Sequence, residues 1–464
     1  MNASAPLPSA PMMDLAQAAA ALGGHVAGAN VAFDGVATDS RAVRAGDLFV
    51  ALKGERFDGH AYVEEAARRG AAAALTSREV QGGIPLSQVV VGDTRLALGR
   101  LAATWRARFD LPLVALTGSN GKTTVKEMLA AILATHSGSR QAVLATEGNL
   151  NNDIGMPLTL LALRPSHRFA VIEMGMNHEG EIDYLTRLAQ PTAALVNNAQ
   201  RAHIGMLGSM EAVARAKGEI YAGLGEHGQA LVNEDDAFAP YWKGLNAGRP
   251  IVTFGMSSDA DVHAANVDGG WRFTTPAASF VVTLAVPGEH NVRNALAACA
   301  AAHALSIPAG AMRAALAQFR GVPGRLQRRR GPAGSTVIDD TYNANPESMK
   351  AALRVLAAER GRRVFVMGDM GELGAQSPAM HAEVGTFARR LGIDALLALG
   401  PESRQAAHAF GEGGRHFGDG AALAAAALEE ARRGATLLVK GSRFMRMEQV
   451  ADALAREGGE ADAL

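Results

Sequence analysis

The chain has 464 residues, 48% of them apolar and 20% charged. That is too long for one ordinary core, and it is the composition of a globular protein with two to four domains. A formal charge of −1 and an aromatic content of 5% give no basis for a nucleic-acid surface, which needs excess cations and stacking rings. No apolar run approaches the roughly 18–20 residues of a membrane span. Residues 1–13, rich in Ala, Pro and Ser, lack the basic and apolar regions of a secretion signal and are read as a frayed leader. Cys299 is the single cysteine, so no internal disulfide can form; its Ala-rich helical setting predicts a small buried hydrophobe. The cytoplasm is the expected compartment.

In chain order, the first segment, residues 1–110, holds a polar turn at Thr38-Asp39-Ser40-Arg41 and an apolar strand over 48–52. Helical patterns follow over 61–69 and 94–109, and Leu111-Pro112 marks a boundary. The second segment, 111–323, opens with a strand at 113–116 and the loop Thr117-Gly118-Ser119-Asn120-Gly121-Lys122-Thr123-Thr124. Val125, Met128, Leu129, Ile132 and Leu133 then lie on one face of a helix. Further strands are predicted at 169–172 and 193–196. The third segment, 324–464, begins after Gly321-Val322-Pro323-Gly324, with strands at 336–338, 364–367, 396–399 and 436–439. Met349, Ala352, Leu353 and Leu356 mark one of the helices between them. Alternating strands and helices predict α/β domains with mainly parallel sheets, the last doubly wound.

The loop at 117–124 carries the strongest chemical signal. Backbone N–H groups from a tight turn, the positive end of a helix and a mobile lysine are what a phosphate chain requires. Gly118, Gly121 and Lys122 supply the turn and the cation, and Thr123 offers a hydroxyl for Mg²⁺. Leu116 stands where the common form of such loops has its first glycine. Glu173 closes an apolar strand, a position from which a carboxylate reaches a metal. By itself Glu173 reads equally well as a capping or surface residue, His203 reads as structural or exposed, Lys217 as a solvated helix residue, and Arg328, Arg329 and Arg330 as a solvated edge.

Several segments together resemble the Mur ligase family: the 117–124 loop, Glu-Met-Gly-Met-Asn-His-x-Gly-Glu-Ile at 173–182, Asn-Asn-Ala-x-x-Ala-His at 197–203, Ala-Lys-Gly-Glu-Ile at 216–220, Pro-Gly-Glu-His-Asn-Val-Arg-Asn-Ala at 287–295 and Gly-Arg-Leu at 324–326. Asp-Asp-Thr-Tyr-Asn-Ala-Asn-Pro at 339–346 and Gly-Asp-Met-Gly-Glu-Leu-Gly at 368–374 resemble the branch that adds D-alanyl-D-alanine. The resemblance spans about residues 38–450. It implies an N-terminal domain for the UDP part of the substrate, a central ATPase and a C-terminal Rossmann-like domain that closes on it.

The same resemblance implies roles for residues. Ser40 and Arg41 would hold the UDP moiety, and Asn149, Asn151 and Asn152 would line the muramoyl-peptide channel. ATP would meet Gly118, Ser119, Asn120, Gly121, Lys122, Thr123 and Thr124, with His290, Asn291 and Asn294 at adenine and ribose and Arg325 and Asp340 arriving on closure. Two Mg²⁺ ions would be held among Thr123, Glu173, His203 and Lys217, the lysine carrying a carbamate. The implied reaction joins D-alanyl-D-alanine to a UDP-N-acetylmuramoyl-tripeptide through an acyl phosphate, in a monomeric enzyme with Lys122, His203, Lys217, Arg325 and Asp340 as its catalytic groups. One alternative is the sister branch that adds the third amino acid, although its Asn-Pro-Arg signature does not occur here. Others are a folylpolyglutamate-synthase-like ligase, which would lack the Thr-Asp-Ser-Arg segment, and a phosphate-loop switch, which does not need the 339–346 segment.

Overall fold

The computed structural model describes residues 11–83, 85–202 and 204–460. The leader expectation for residues 1–10 therefore lies outside the described residues. For Met12 and Met13 it fails: each is only 3% exposed, because Met13–Asp14 pairs with Ala32–Phe33 and places two apolar side chains on the core. Among the described residues no helix is long and apolar enough to cross a membrane.

The first sheet runs His25–Ala27, Ser87–Val90, Ala73–Thr76, Asp47–Val50, Gly35–Ala37, parallel except for its first pair. Helix α1 (Thr94–Arg106) starts where the Asp93 carboxylate accepts from the Arg95 and Leu96 amides, satisfying two donors that a helix start leaves open. Its Leu98, Leu101 and Trp105 enter a core that also holds Leu48 and Leu75 of the first sheet and Ile172 and Val196 of the second. The first two sheets are thus joined by one continuous core. The buried Arg106 guanidinium reinforces the join by donating to the Ala189 and Phe109 carbonyls.

In the second sheet, β1 (Leu113–Thr117) precedes helix α2 (Lys122–Ser137) and lies between β2 (Phe169–Glu173) and β3 (Ala193–Val196), parallel to both. Side chains alternate faces along a strand. Val114 and Leu116 therefore pack with α2, while Leu113 and Ala115 join the core beneath α1. Neighbouring strands leave β1 on opposite sides, so the strand order reverses there, and the crevice at such carboxyl ends is where open α/β sheets bind ligands. The sheet extends to nine strands, including an unanticipated antiparallel meander of Val262–Val267, Gly270–Thr274 and Ser279–Val282. Asp268-Gly269 make its first turn, where Gly269 takes a positive φ that glycine adopts at no steric cost. Helices α3 (Met210–Gly218) and α4 (Glu289–Ala304) flank this sheet. Cys299 is fully buried in α4, and burial pushes its thiol pKa up.

The third sheet has six strands: Gln327–Arg330, β4 (Thr336–Asp340), a strand at Thr436–Lys440, β5 (Arg363–Gly368), Ala395–Leu399 and Gly414–Phe417. Only the first pair is antiparallel. Ile338, Phe365 and Met367 face a core with helices α5 (Pro346–Ala357) and α6 (Ser377–Arg390), whereas Val337, Val364 and Val366 face the opposite one. Two buried faces explain the nearly unbroken apolar strands. The Arg328–Arg330 run is an edge strand, but not a merely solvated one: Arg328 pairs with Glu359, and Arg329 with Asp339 and Asp452. Charge on an edge also discourages further strand pairing.

Candidate active site

The phosphate loop sits at the head of β1. Gly121 takes φ +80°, and a Cβ there would lie 2.1 Å from Asn294 Oδ1 and 2.6 Å from Asn197 Nδ2. Only glycine fits both the left-handed backbone and the space. The loop is held from the side by the segment after β3: Asn198 O accepts from the Ser119 amide (3.0 Å), Asn198 Oδ1 from the Asn120 amide (2.9 Å), and Ser119 Oγ from the Gln200 amide (2.8 Å). Lys122 folds its ammonium onto the Gly118 carbonyl at 2.6 Å. Burial is the main cause that lowers its pKa, and nearby Glu173 opposes the shift.

Glu173 is the last residue of β2 and 2% exposed. Its Oε2 accepts from Thr123 Oγ1 at 2.9 Å and its Oε1 from Asn151 Nδ2 at 2.8 Å. A buried carboxylate beside a hydroxyl at a phosphate loop is a hard-oxygen set suited to Mg²⁺, which shares such sites with phosphates and water. Among the described residues no group of three or more His, Cys, Asp or Glu converges on one point. His203 lies outside the described residues.

Lys217, on α3, is 1% exposed and its ammonium makes no hydrogen bond or ion pair among the described residues. Burial, followed by repulsion from Lys122, holds its pKa well below the usual lysine range. It is not among the residues that line the cleft, although it lies near enough to Lys122 to feel its charge. Its neighbour Glu219 points elsewhere and accepts from the Gly180 and Asp183 amides.

From the C-terminal domain, Arg325 reaches across to donate from Nη2 to Thr123 Oγ1 at 2.8 Å. Its guanidinium lies 4.2 Å from the Tyr342 ring centroid, a cation–π contact. Its Nε is buried with no partner among the described residues, a donor left open inside the site. Asp340, ending β4, accepts from the Leu326 amide and pairs at 2.6 Å with Lys440, which is 3% exposed and ends its own strand. Asn120 and Asn345 exchange amide contacts across the same gap, Asn345 Nδ2 donating to Asn120 Oδ1 at 2.8 Å.

These groups enclose a cavity of about 1940 Å³. It is lined by residues 119–124 of the phosphate loop, Glu173, Asn149, Asn151, Asn152, His290, Asn291, Asn294, Arg325 and Asp340. Asn294 turns its Oδ1 to Asn197 Nδ2 at 3.2 Å and Asn152 caps the Gly155 amide at 2.8 Å, so both also shape the backbone around the cavity. Burial lowers the His290 pKa and favours the neutral ring. Ser40 and Arg41 are not brought to this cavity. Ser40 is buried, while Arg41 is exposed and grips Asp39 at 2.7 Å, holding that carboxyl down to about 2. Sequence reasoning did not single out Lys440; the signal was present, a charge ending an apolar strand as Glu173 does.

Residues 32–106 match the family described as the Mur ligase family catalytic domain, 116–302 the Mur ligase middle domain, and 324–443 the Mur ligase glutamate ligase domain. The UDP-N-acetylmuramoyl-tripeptide–D-alanyl-D-alanine ligase of Escherichia coli (strain K12) is 45% identical over 96% of this chain and 98% of its own. The chain belongs to the Mur ligase family. A crystal structure of MurF from Acinetobacter baumannii superposes with a TM-score of 0.90 at 38% identity, over 97% of this chain and all of that one. MurF ligase from Thermotoga maritima, solved with ADP, gives 0.78 at 28% identity, over 92% and 98%. The three-domain α/β architecture is therefore that of the family, and family membership makes the chain an ATP-dependent ligase.

Proposed function

We propose that this Mur ligase joins D-alanyl-D-alanine to a UDP-N-acetylmuramoyl-tripeptide, forming ADP and phosphate, in the cytoplasm and as a monomer. Similarity to ligases of that name along nearly the whole chain supports the substrates. The observation that carries the chemistry is the meeting of Arg325 with Thr123 and Glu173 at the phosphate loop. Two anions, the tripeptide carboxylate and the γ-phosphate, must approach, so catalysis is chiefly positioning and charge neutralisation. Lys122 and the backbone amides at the start of α2 bind the phosphates. Arg325, fixed by Tyr342 and by Thr123, turns its remaining donors to the transferring phosphoryl group. The carboxylate oxygen bonds to the γ-phosphorus as the bond from phosphorus to the β–γ bridging oxygen breaks, releasing ADP. The amine of D-alanyl-D-alanine then attacks the acyl carbon of the resulting acyl phosphate, loses a proton, and phosphate leaves.

Thr123 and Glu173 would hold one Mg²⁺, and His203 with a carbamylated Lys217 a second; bound there, the ions supply positive charge to the phosphates. Lys217 suits the modification because a carbamate forms from the neutral amine, the form that its burial favours. His290, Asn291 and Asn294 face the nucleotide, and Asn149, Asn151 and Asn152 the peptide. Ser40 and Arg41 hold the UDP end on the N-terminal domain. As moving parts, residues 1–110 and 111–323 share a core and travel together, and 324–464 closes on them. The test is product analysis with purified substrates: ADP and phosphate should form only when both the tripeptide and D-alanyl-D-alanine are present. Formation of AMP and pyrophosphate, or turnover with diaminopimelate or lysine in place of the dipeptide, would reject the assignment.

A further inference from the structure

The segment after β3 has two faces. One is laced to the phosphate loop through Ser119, Asn120, Asn198 and Gln200. The other carries Arg201, which leaves its own domain entirely. Arg201 Nε donates to Glu347 Oε1 at 2.6 Å, and Nη1 and Nη2 form a fork on Glu383 at 2.9 and 3.0 Å. Glu347 lies in the first turn of α5, where a carboxylate also suits the helix dipole. Glu383 lies on α6 and is steadied by Lys350. The start of α5 also holds Asn345, which meets Asn120 of the phosphate loop. Two contacts thus run from one short stretch of the C-terminal domain to one short stretch of nucleotide-binding backbone.

We infer that Arg201 is a positioning residue that couples closure of the C-terminal domain to the geometry of the phosphate loop. Resting on the ligase assignment above, this adds to it a specific latch. A planar guanidinium bridging two carboxylates is directional, so it fixes the angle of closure as well as its extent. When the C-terminal domain docks, the pull on Arg201 is borne by the 197–202 segment, and that segment is what holds Ser119 and Asn120 in place. Arg325 and Asp340 arrive with the same movement. Residue 201 is one of the two positions that the motif Asn-Asn-Ala-x-x-Ala-His leaves open, and it does not line the cavity. Arg201 holds Glu383 down to about 2, so this pair remains charged at any pH near neutrality and the latch is not a pH switch.

The test uses the full chain with Arg201→Ala, Arg201→Lys, Glu383→Gln and the double variant Arg201→Ala/Glu383→Gln. Solution scattering with ADP and Mg²⁺ should show a larger radius of gyration for Arg201→Ala than for the unsubstituted chain. In turnover, kcat should fall about tenfold or more while KM for ATP changes less. The melting temperature should stay near the original, since each domain keeps its core. Arg201→Lys, which retains charge but loses the fork, should fall between. The double variant should be about as slow as Arg201→Ala alone, because both changes break one linkage. Equal radii with ADP, or effects of the two single changes that simply multiply, would overturn the latch. So would a kcat loss matched by a drop in melting temperature, which would make Arg201 merely structural. If the ligase assignment itself fails, the unsubstituted chain will not turn over with the proposed substrates, and the scattering comparison still decides the latch.

Discussion

Replacing Lys217 by Met separates what the lysine costs the fold from what it does for the reaction. The residue is buried, among the described residues its ammonium has no hydrogen bond or ion pair, and its pKa lies well below the usual lysine range. In the unfolded chain the same group titrates near 10.4, so between the folded value and that pH the unfolded state holds up to one proton more than the folded state. Stability rises with pH wherever the unfolded state binds more protons. Between the depressed folded value and about 10.4, the unfolding free energy should therefore climb by about 1.4 kcal/mol per pH unit, then level off. Each pH unit of that window is thus comparable to the packing cost of exchanging lysine for an unbranched apolar side chain, under about 1.5 kcal/mol. Lys217→Met should lack that slope, so its advantage over the original should be greatest at the acid end of the window and shrink by about 1.4 kcal/mol per pH unit. Denaturant unfolding in buffer free of Mg²⁺ and CO₂ is the assay. Tryptophan fluorescence suits it, because Trp105, Trp242 and Trp271 all precede the C-terminal domain and Trp242 donates to Ala214 on the helix that carries Lys217. The more stable variant should nevertheless be inactive, because the carbamate is gone. Parallel pH profiles for the two chains would refute the neutral-amine assignment, and full activity of the variant would refute the carbamate.

Lys122→Ala should abolish turnover yet leave the melting temperature nearly unchanged, since among the described residues the ammonium's one hydrogen bond is to Gly118 O; near-normal kcat would remove the phosphate-loop assignment. Gly121→Ala forces an L side chain to φ +80°, costing about 1–2 kcal/mol before the collision with Asn294 is counted. ADP affinity measured by calorimetry should drop more than tenfold, and an unaltered Kd would count against the loop geometry. Lys440→Met strips Asp340 of a buried partner at 2.6 Å, so the C-terminal domain should lose about 3–5 kcal/mol. Hydrogen exchange along β4 should report that loss, and unchanged protection there would argue that the pair is unimportant.

How much of the fold could be read from the sequence depended on burial. Strands covered on both faces, such as 113–117 and 364–367, are unbroken apolar runs and were legible to within a residue or two. Strands covered on one face were not singled out, and neither were the short, alanine-containing buried strands Ala73–Thr76 and Val143–Ala145. Ser279–Val282 alternates exposed and buried residues over only four positions, too few for a period to stand out, although Asp268-Gly269-Gly270 marks the first turn of its meander. The misreading of Met12 and Met13 has a related cause. A two-residue strand has no periodicity, and its burial depends on Phe33, about twenty residues away.

The candidate site divides along a similar line, between local and long-range geometry. The phosphate loop could be seen because strand, glycines, lysine and helix follow one another directly, so the backbone alone brings them together. Glu173 was visible for the same reason, as a charge ending an apolar strand. Lys440 ends an apolar strand in the same way, yet what gives it a role is Asp340, a hundred residues distant and reached only because the two strands are neighbours in the sheet. Arg201 was harder still. In the sequence it is one more arginine in a polar stretch, and its three acceptor oxygens come from a different domain. Local motifs thus announce the proposed ATP site, while the residues that join its two halves depend on how the domains meet. A switch built on the same loop could dispense with Arg325 and Asp340. A ligase cannot, because its acyl phosphate must be kept from water until the amine arrives, and closure by a second domain is what excludes the water. The contacts spanning the gap, Arg325 to Thr123, Asn345 to Asn120 and Arg201 to Glu347 and Glu383, are therefore the part of the structure that argues most directly for a ligase over a simple nucleotide-binding protein.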